Sequence, residues 1–239
     1  MIGRFHEFSV HAPDVLASIG FYERLGFVQA STGEAWPYPY AVVTDGRIGI
    51  GLHCQELPAS PLLAFVLPDL LHRLAALEAA GIEIVDRQLG GDAFNQAAIG
   101  APGGLQLRLL EARTYSPVHR PPGTTSKLGW FEQIALPVAD AEGAARYWER
   151  LGFVLAGEAE EPLPHLGITS DEVSLALLPP GTLAGPALVF THAAMPGRIR
   201  ALRDAGLEFA RRLPAGLDAD RNALLVAPEG TQILLTAGP

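Results

Sequence analysis

Phe21-Tyr22-Glu23-Arg24-Leu25-Gly26-Phe27-Val28 returns 126 residues later as Tyr147-Trp148-Glu149-Arg150-Leu151-Gly152-Phe153-Val154. The match extends outward from there. Asp14 aligns with Asp140, Ala101-Pro102-Gly103-Gly104 with Ala227-Pro228-Glu229-Gly230, and Gln106 with Gln232. A repeat of this length makes two related units of one chain. The expected division is a first domain over 1–112, a linker over 113–129 rich in proline and polar residues, and a second domain over 130–239.

Each half divides again. Residues 4–10 alternate, with Phe8 and Val10 on one side and Glu7 and Ser9 on the other, as in a half-buried strand. Asp14 then caps a helix carrying Leu16, Ile19, Tyr22 and Leu25, and Gly26 sits where a helix ends. Strands are expected over 28–30, 40–44 and 48–53. The same order of strand, helix and three strands restarts at Leu62, with a helix over 69–80. It recurs in the second half from Phe131. The fold class is therefore α+β: four βαβββ modules paired into two domains with cupped mixed sheets.

Composition narrows the partners. The formal charge is −9, and Lys127 is the single lysine among 17 basic residues. A negative field disfavours nucleic acid and anionic membrane surfaces. No segment approaches the roughly 20 apolar residues of a membrane span. Residues 1–12 hold Glu7 and two histidines where a leader would need an apolar stretch. Cys54 is alone, so no intrachain disulfide forms. A cytoplasmic monomer or homodimer acting on a small molecule is expected.

The strand ending at Pro13-Asp14, Phe21-Tyr22 before Leu25-Gly26-Phe27, and Pro102-Gly103-Gly104 before a final strand together resemble the vicinal oxygen chelate superfamily. That superfamily includes glyoxalase I, extradiol dioxygenases and bleomycin-resistance proteins. The resemblance implies a cupped sheet around a pocket, and an Fe, Mn, Ni or Zn ion held by histidines and carboxylates on strands facing the cup. It places one ligand seven residues before the capping Asp, at Glu7 and Gln133. A second falls at Leu62 and Ala187, and a third, six residues after the Pro, at Arg108 and Leu234. Divalent transition metals need several N, S or O donors converging at about 2.0–2.3 Å. Neither half fills the set.

No cofactor is therefore expected. The alternative is a divalent metal held by Glu7 and His53, or by Gln133 and His165, in a lyase, isomerase or dioxygenase. A third reading is a non-catalytic partner-binding remnant. The main expectation is a small organic molecule bound in the first cup. Alternation turns Gln106 and Arg108 into that cup with Glu7, and Glu7 and Arg108 are expected to meet as an ion pair. Such a pair either fills a former metal site or leaves Arg108 to hold an anionic or carbonyl-bearing ligand. His53 shares its strand face with Gly49 and Gly51, which leave room for a ligand. Trp36, Tyr38 and Tyr40 offer flat contact area, either for a ligand or for packing between modules. In the second cup the candidates are Gln133, His165 and Gln232.

Overall fold

The computed structural model describes residues 2–32, 36–90, 94–112 and 126–238. Residues 113–125 of the expected linker lie outside the described residues. The first module is β1 (Arg4–His11), α1 (Val15–Arg24), β2 (Val28–Gln29), β3 (Tyr40–Thr44) and β4 (Gly49–His53). The second is β5 (Leu62–Leu67), α2 (Leu70–Ala79), β6 (Ile84–Gln88), β7 (Gln96–Gly100) and β8 (Gln106–Glu111). Their strands form one mixed sheet in the order β2-β3-β4-β1-β5-β8-β7-β6. Each module pairs its first and last strands in parallel, β1 with β4 and β5 with β8, and the modules join where β1 runs antiparallel to β5.

The second half holds β9 (Trp130–Pro137), α3 (Ala141–Arg150), β10 (Val154–Ala159), β11 (His165–Thr169) and β12 (Ser174–Leu178). It continues with β13 (Ala187–His192), α4 (Met195–Asp204), β14 (Ala223–Val226) and β15 (Gln232–Ala237). The sheet order is β10-β11-β12-β9-β13-β15-β14. Its last module thus pairs two strands after the helix instead of three. The stretch over 208–222 carries Leu213-Pro214-Ala215-Gly216-Leu217 and makes one ladder-like bond, from Ala210 N to Leu224 O. Proline has no N–H to donate to a ladder, and the segment turns back over the sheet.

The helices begin as their sequences require. The Asp14, Asp69 and Asp140 carboxylates accept from the backbone N–H of Ala17, His72 and Gly143 at 2.9, 3.1 and 2.8 Å. Each such cap stabilises its helix by about 1 kcal/mol. Gly26 and Gly152 close α1 and α3 at φ of 90° and 95°, a region that only glycine enters cheaply. On α1 the buried face is Ser18 and Tyr22, with Val15 and Ile19 beside it. Of the expected stripe Ile19, Tyr22 and Leu25 face the core, while Leu16 is 79% exposed.

One core joins the halves. Phe8, Ile50, Leu63, Phe65 and Leu107 share it with Ile134, Trp148, Leu188, Phe190 and Ile233. Phe27 meets Phe190 edge-on, with ring centroids 6.1 Å apart. The repeat also fastens the halves reciprocally. Arg24 donates to the carbonyls of Ala205 and Gly206 at the end of α4, at 3.0 and 2.8 Å. Arg150, its repeat partner, donates to Ala80 at the end of α2, at 3.2 Å. Each guanidinium meets the negative end of the other half's helix. The opposite face of each sheet is left to form a cup.

Candidate functional site

In the first cup the alternation set by the core directs Glu7 and Ser9 of β1, Tyr40 of β3, His53 of β4 and Arg108 of β8 to the open face. Glu7 and His53 are buried. The Glu7 carboxylate accepts from Ser9 Oγ at 2.6 Å and Tyr40 Oη at 2.5 Å, and His53 Nε2 lies 3.2 Å from its Oε1. His53 Nδ1 in turn meets the Tyr38 hydroxyl at 3.0 Å. The bare backbone of Gly51 makes room for this carboxylate: a Cβ there would overlap Glu7 Oε1, Cδ and Oε2. The glycine space read from the sequence as ligand room is thus filled by Glu7 itself.

A bulge in β1 between Phe5 and Glu7 breaks the simple alternation. It brings His6 Nε2 to 3.8 Å from Glu7 Oε2. Burial pushes the Glu7 carboxyl upward. The hydrogen bond from His53 and the positive fields of His6 and His53 outweigh it, and the acid titrates at about 2. Burial, reinforced by the Glu7 charge and its hydrogen bond, raises the Tyr40 hydroxyl far above its ordinary value. Tyr38 is raised as well, chiefly by burial.

The expected Glu7–Arg108 ion pair does not form among the described residues. Ala64 of β5 pairs with Glu7 on one side and with Arg108 on the other. Two strand spacings, about 10 Å, therefore separate their backbones. Arg108 instead lies within hydrogen-bonding reach of Tyr38, and its guanidinium carbon stands 5.5 Å from the Trp36 ring centroid. Trp36 stacks on Tyr38 with centroids 5.6 Å apart and planes 26° from parallel. Both Trp36 and Tyr40 also pack against the His53 ring, at 5.6 and 4.6 Å.

Above this layer opens a cavity of about 900 Å³ whose walls include Trp36, Tyr38, Gln106 and Arg108. Glu7, His53 and Tyr40 lie beneath it and do not line it. Other wall residues were not among the sequence candidates, Glu56, Val85, Asp86, Phe94 and Gln96 among them. Phe94 carried a signal, because it is a large apolar residue just after Gly90-Gly91-Asp92, and it is 69% exposed. Such a residue at a hairpin tip serves no core.

The second cup is packed shut. Ala135, Ala176, Ala187, Val189 and Leu234 on its face form an apolar cluster with Leu163, Leu183 and Leu224, covered by Ala210, Leu213 and Leu217. His165 Nδ1 is 2.8 Å from the Leu163 carbonyl, and Gln232 donates to the Gly185 carbonyl at 3.2 Å. Both side chains are spent on nearby backbone carbonyls. Gln133 is buried on β9, opposite Val189. A shallower groove of about 560 Å³ runs between the halves beside Gly103, Gly104, Glu229 and Gly230.

No protein-family model matches the sequence, and no curated protein matches it. Solved structures do match. Homoprotocatechuate 2,3-dioxygenase from Arthrobacter globiformis is 14% identical, with a TM-score of 0.63 over 99% of this chain and 80% of that one. The enzyme of the same name from Brevibacterium fuscum, in an anaerobic complex with 3,4-dihydroxyphenylacetate, gives 14% and 0.62 over 97% and 79%. A Mn(II)-bound glyoxalase from Novosphingobium aromaticivorans gives 14% and 0.60 over 98% and 81%. The chain has the vicinal oxygen chelate fold, built as tandem glyoxalase-like units.

The expectation that this chain needs no cofactor is overturned by a neighbour of the same fold that carries Mn(II). Tested against a metal, the first cup offers Glu7 and His53, which face each other, with Leu62 and Arg108 across the sheet. Among the described residues no three His, Cys, Asp or Glu side chains gather as a ligand set. The residues present do not fit the superfamily's site.

Proposed function

We propose that this protein binds a small organic molecule in its first cup. The observation that carries the reading is the contrast between the cups. One opens into a cavity of about 900 Å³ walled by Trp36, Tyr38, Gln106 and Arg108, and the other is filled with its own leucines. Flat aromatic walls with amides, the Arg108 cation and the Glu56 and Asp86 carboxylates suit a planar ligand that presents a carbonyl or anionic oxygen to Arg108. A neighbour of the same fold is recorded with 3,4-dihydroxyphenylacetate, a small aromatic acid. The test is a thermal-shift and calorimetric screen of a broad panel of planar acids, phenols and lactams, with metal content measured on the same samples. Trp36→Ala and Arg108→Ala should each weaken the best binder by at least tenfold. Unchanged affinity in both would place the ligand elsewhere.

We infer further that residues 1–112 and 130–239 are the two domains, joined by 113–129. Their shared core and the reciprocal Arg24 and Arg150 contacts support a chain that completes its own pairing as a monomer. The formal charge of −9 supports small molecules over nucleic acid or anionic membrane as partners. No described helix is long and apolar enough to cross a membrane. The lone cysteine suits a reducing cytoplasm.

A further inference from the structure

One row of residues runs straight across the first sheet. Asp86 of β6 pairs with Ala98 of β7, Ala98 with Arg108 of β8, Arg108 with Ala64 of β5, and Ala64 with Glu7 of β1. Arg108 is thus flanked by two carboxylates, each two strands away across an alanine. Glu7 is buried and spends its oxygens on Ser9, Tyr40 and His53. Asp86 is exposed on the edge strand, and among the described residues its carboxylate makes no hydrogen bond or ion pair. A bulge in β6 between Ile84 and Asp86 lets Val85 and Asp86 both line the cavity. The Arg108 guanidinium reaches Trp36 and Tyr38, and Tyr38 is tied to His53 of β4, on the side of the sheet away from β6. After that bond a guanidinium still has N–H groups to spare. Two strand spacings, about 10 Å, separate the backbones of Arg108 and Asp86, and only the methyl of Ala98 stands between them.

We propose that Asp86 and Arg108 are the two charged ends of one binding site, and that its ligand is an aromatic zwitterion. An anionic oxygen meets Arg108, a flat ring lies above Ala98, and an ammonium group meets Asp86. The inference rests on the first cup being the binding site and names the class of molecule it holds. Charge balance favours a zwitterion over a plain acid. The cavity walls carry two carboxylates, Glu56 and Asp86, against the single Arg108 cation. Their combined field opposes an anion and accepts a molecule of zero net charge. Asp86 is the better ammonium partner of the two acids. It sits on a strand in register with Arg108, whereas Glu56 lies on the loop after β4, outside the row. Ala98 leaves the space above the sheet open, and the ring keeps the two ligand charges apart, as the spacing between Arg108 and Asp86 requires.

The test is calorimetry at neutral pH with 4-(aminomethyl)benzoate, with 4-methylbenzoate, which lacks the ammonium, and with benzylamine, which lacks the carboxylate. Wild type should bind the zwitterion about three- to tenfold more tightly than either analogue. Asp86→Asn should weaken the zwitterion to the level of 4-methylbenzoate and leave 4-methylbenzoate no weaker. Asp86 is exposed, so this variant keeps the fold. Arg108→Ala should weaken both carboxylates and spare benzylamine. Glu56→Gln should weaken the zwitterion less than Asp86→Asn does. Equal affinity of wild type for the zwitterion and 4-methylbenzoate, a preference that survives Asp86→Asn, or a larger loss from Glu56→Gln contradicts the pairing. Failure of all the compounds to bind also contradicts it. The broad panel judges the cup separately, so a hit there that needs no ammonium would sink this inference and leave the first standing.

Discussion

Glu7 and Arg108 face the first cup from opposite sides of Ala64, and His53 and Tyr38 bridge them. The carboxylate ends the chain beneath the aromatic layer, and the guanidinium ends it at the cavity. The two charges are thus connected through two rings and not by direct contact. The buried end is fully hydrogen-bonded, while the open end keeps its charge available to a ligand.

That linkage predicts an acid-sensitive first half. The Glu7 carboxyl titrates at about 2 in the folded protein, against 4.5 ordinarily. A depressed pKa means that folding favours the ionised form. The stabilisation is present above pH 4.5 and is lost as pH falls through about 2, amounting to at most about 3 kcal/mol. Urea unfolding midpoints should therefore fall from pH 6 to pH 3, and fall less in Glu7→Gln. Parallel slopes for the two proteins would remove Glu7 as the source.

Gly51 should be intolerant of any side chain. A Cβ there overlaps the Glu7 carboxylate, whereas one at Gly49 meets its nearest atom, the His6 carbonyl, at 3.4 Å. Gly51→Ala should destabilise by about 1–3 kcal/mol, as overpacking does. Gly49→Ala should lose less. Denaturant titration of the pair checks the difference, and equal losses would show that Glu7 can move aside.

The joint between halves makes a third prediction. Glu229 accepts from Ser18 Oγ, Tyr22 Oη and Thr231 Oγ1, each at 2.7 Å. Ser18 and Tyr22 are fully buried, so Glu229→Ala strands two hydroxyls. A loss of about 2–4 kcal/mol in calorimetric or denaturant unfolding is expected. At the mirror position Trp148 has a buried indole N–H with no hydrogen-bond partner among the described residues, and Gly103 stands where Glu229 would be. A Cβ on Gly103 would lie 2.8 Å from the Pro137 carbonyl. Trp148→Phe should consequently cost little beyond lost packing.

The cups should respond differently to substitution. Arg108→Ala and Trp36→Ala should each weaken a cup-bound ligand by at least tenfold. His165→Ala and Gln232→Ala remove side chains bonded to the Leu163 and Gly185 carbonyls and should leave affinity unchanged while lowering thermal stability modestly. Calorimetry on the four variants with one binder from the panel checks both halves of the statement. Equal losses on the two sides would mean that the second cup also opens.

The repeat made the architecture readable. Asp14 and Asp140, and Gly26 and Gly152, sit where helix starts and ends demand those residues, and the alternation of Phe8, Val10, Leu107 and Leu109 fixes which face is core. The site was only partly readable. Strand parity put Glu7 and His53 on the cup face, but it gave neither their bonds to Tyr40 and Tyr38 nor the absence of a direct Glu7–Arg108 pair, because parity says nothing about a strand lying between two residues. The bulge at His6 defeats parity altogether. The closing of the second cup depended on Leu213 and Leu217, in a stretch with no strand or helix period to show where it folds.

The most direct measurement is the crystallographic position of the tightest binder from the panel. The molecule is expected in the first cup, against Trp36 and Tyr38 and within hydrogen-bonding distance of the Arg108 guanidinium, with the leucines of the second cup undisturbed. A molecule seated in the second cup, or in the groove beside Gly103 and Glu229, would contradict it.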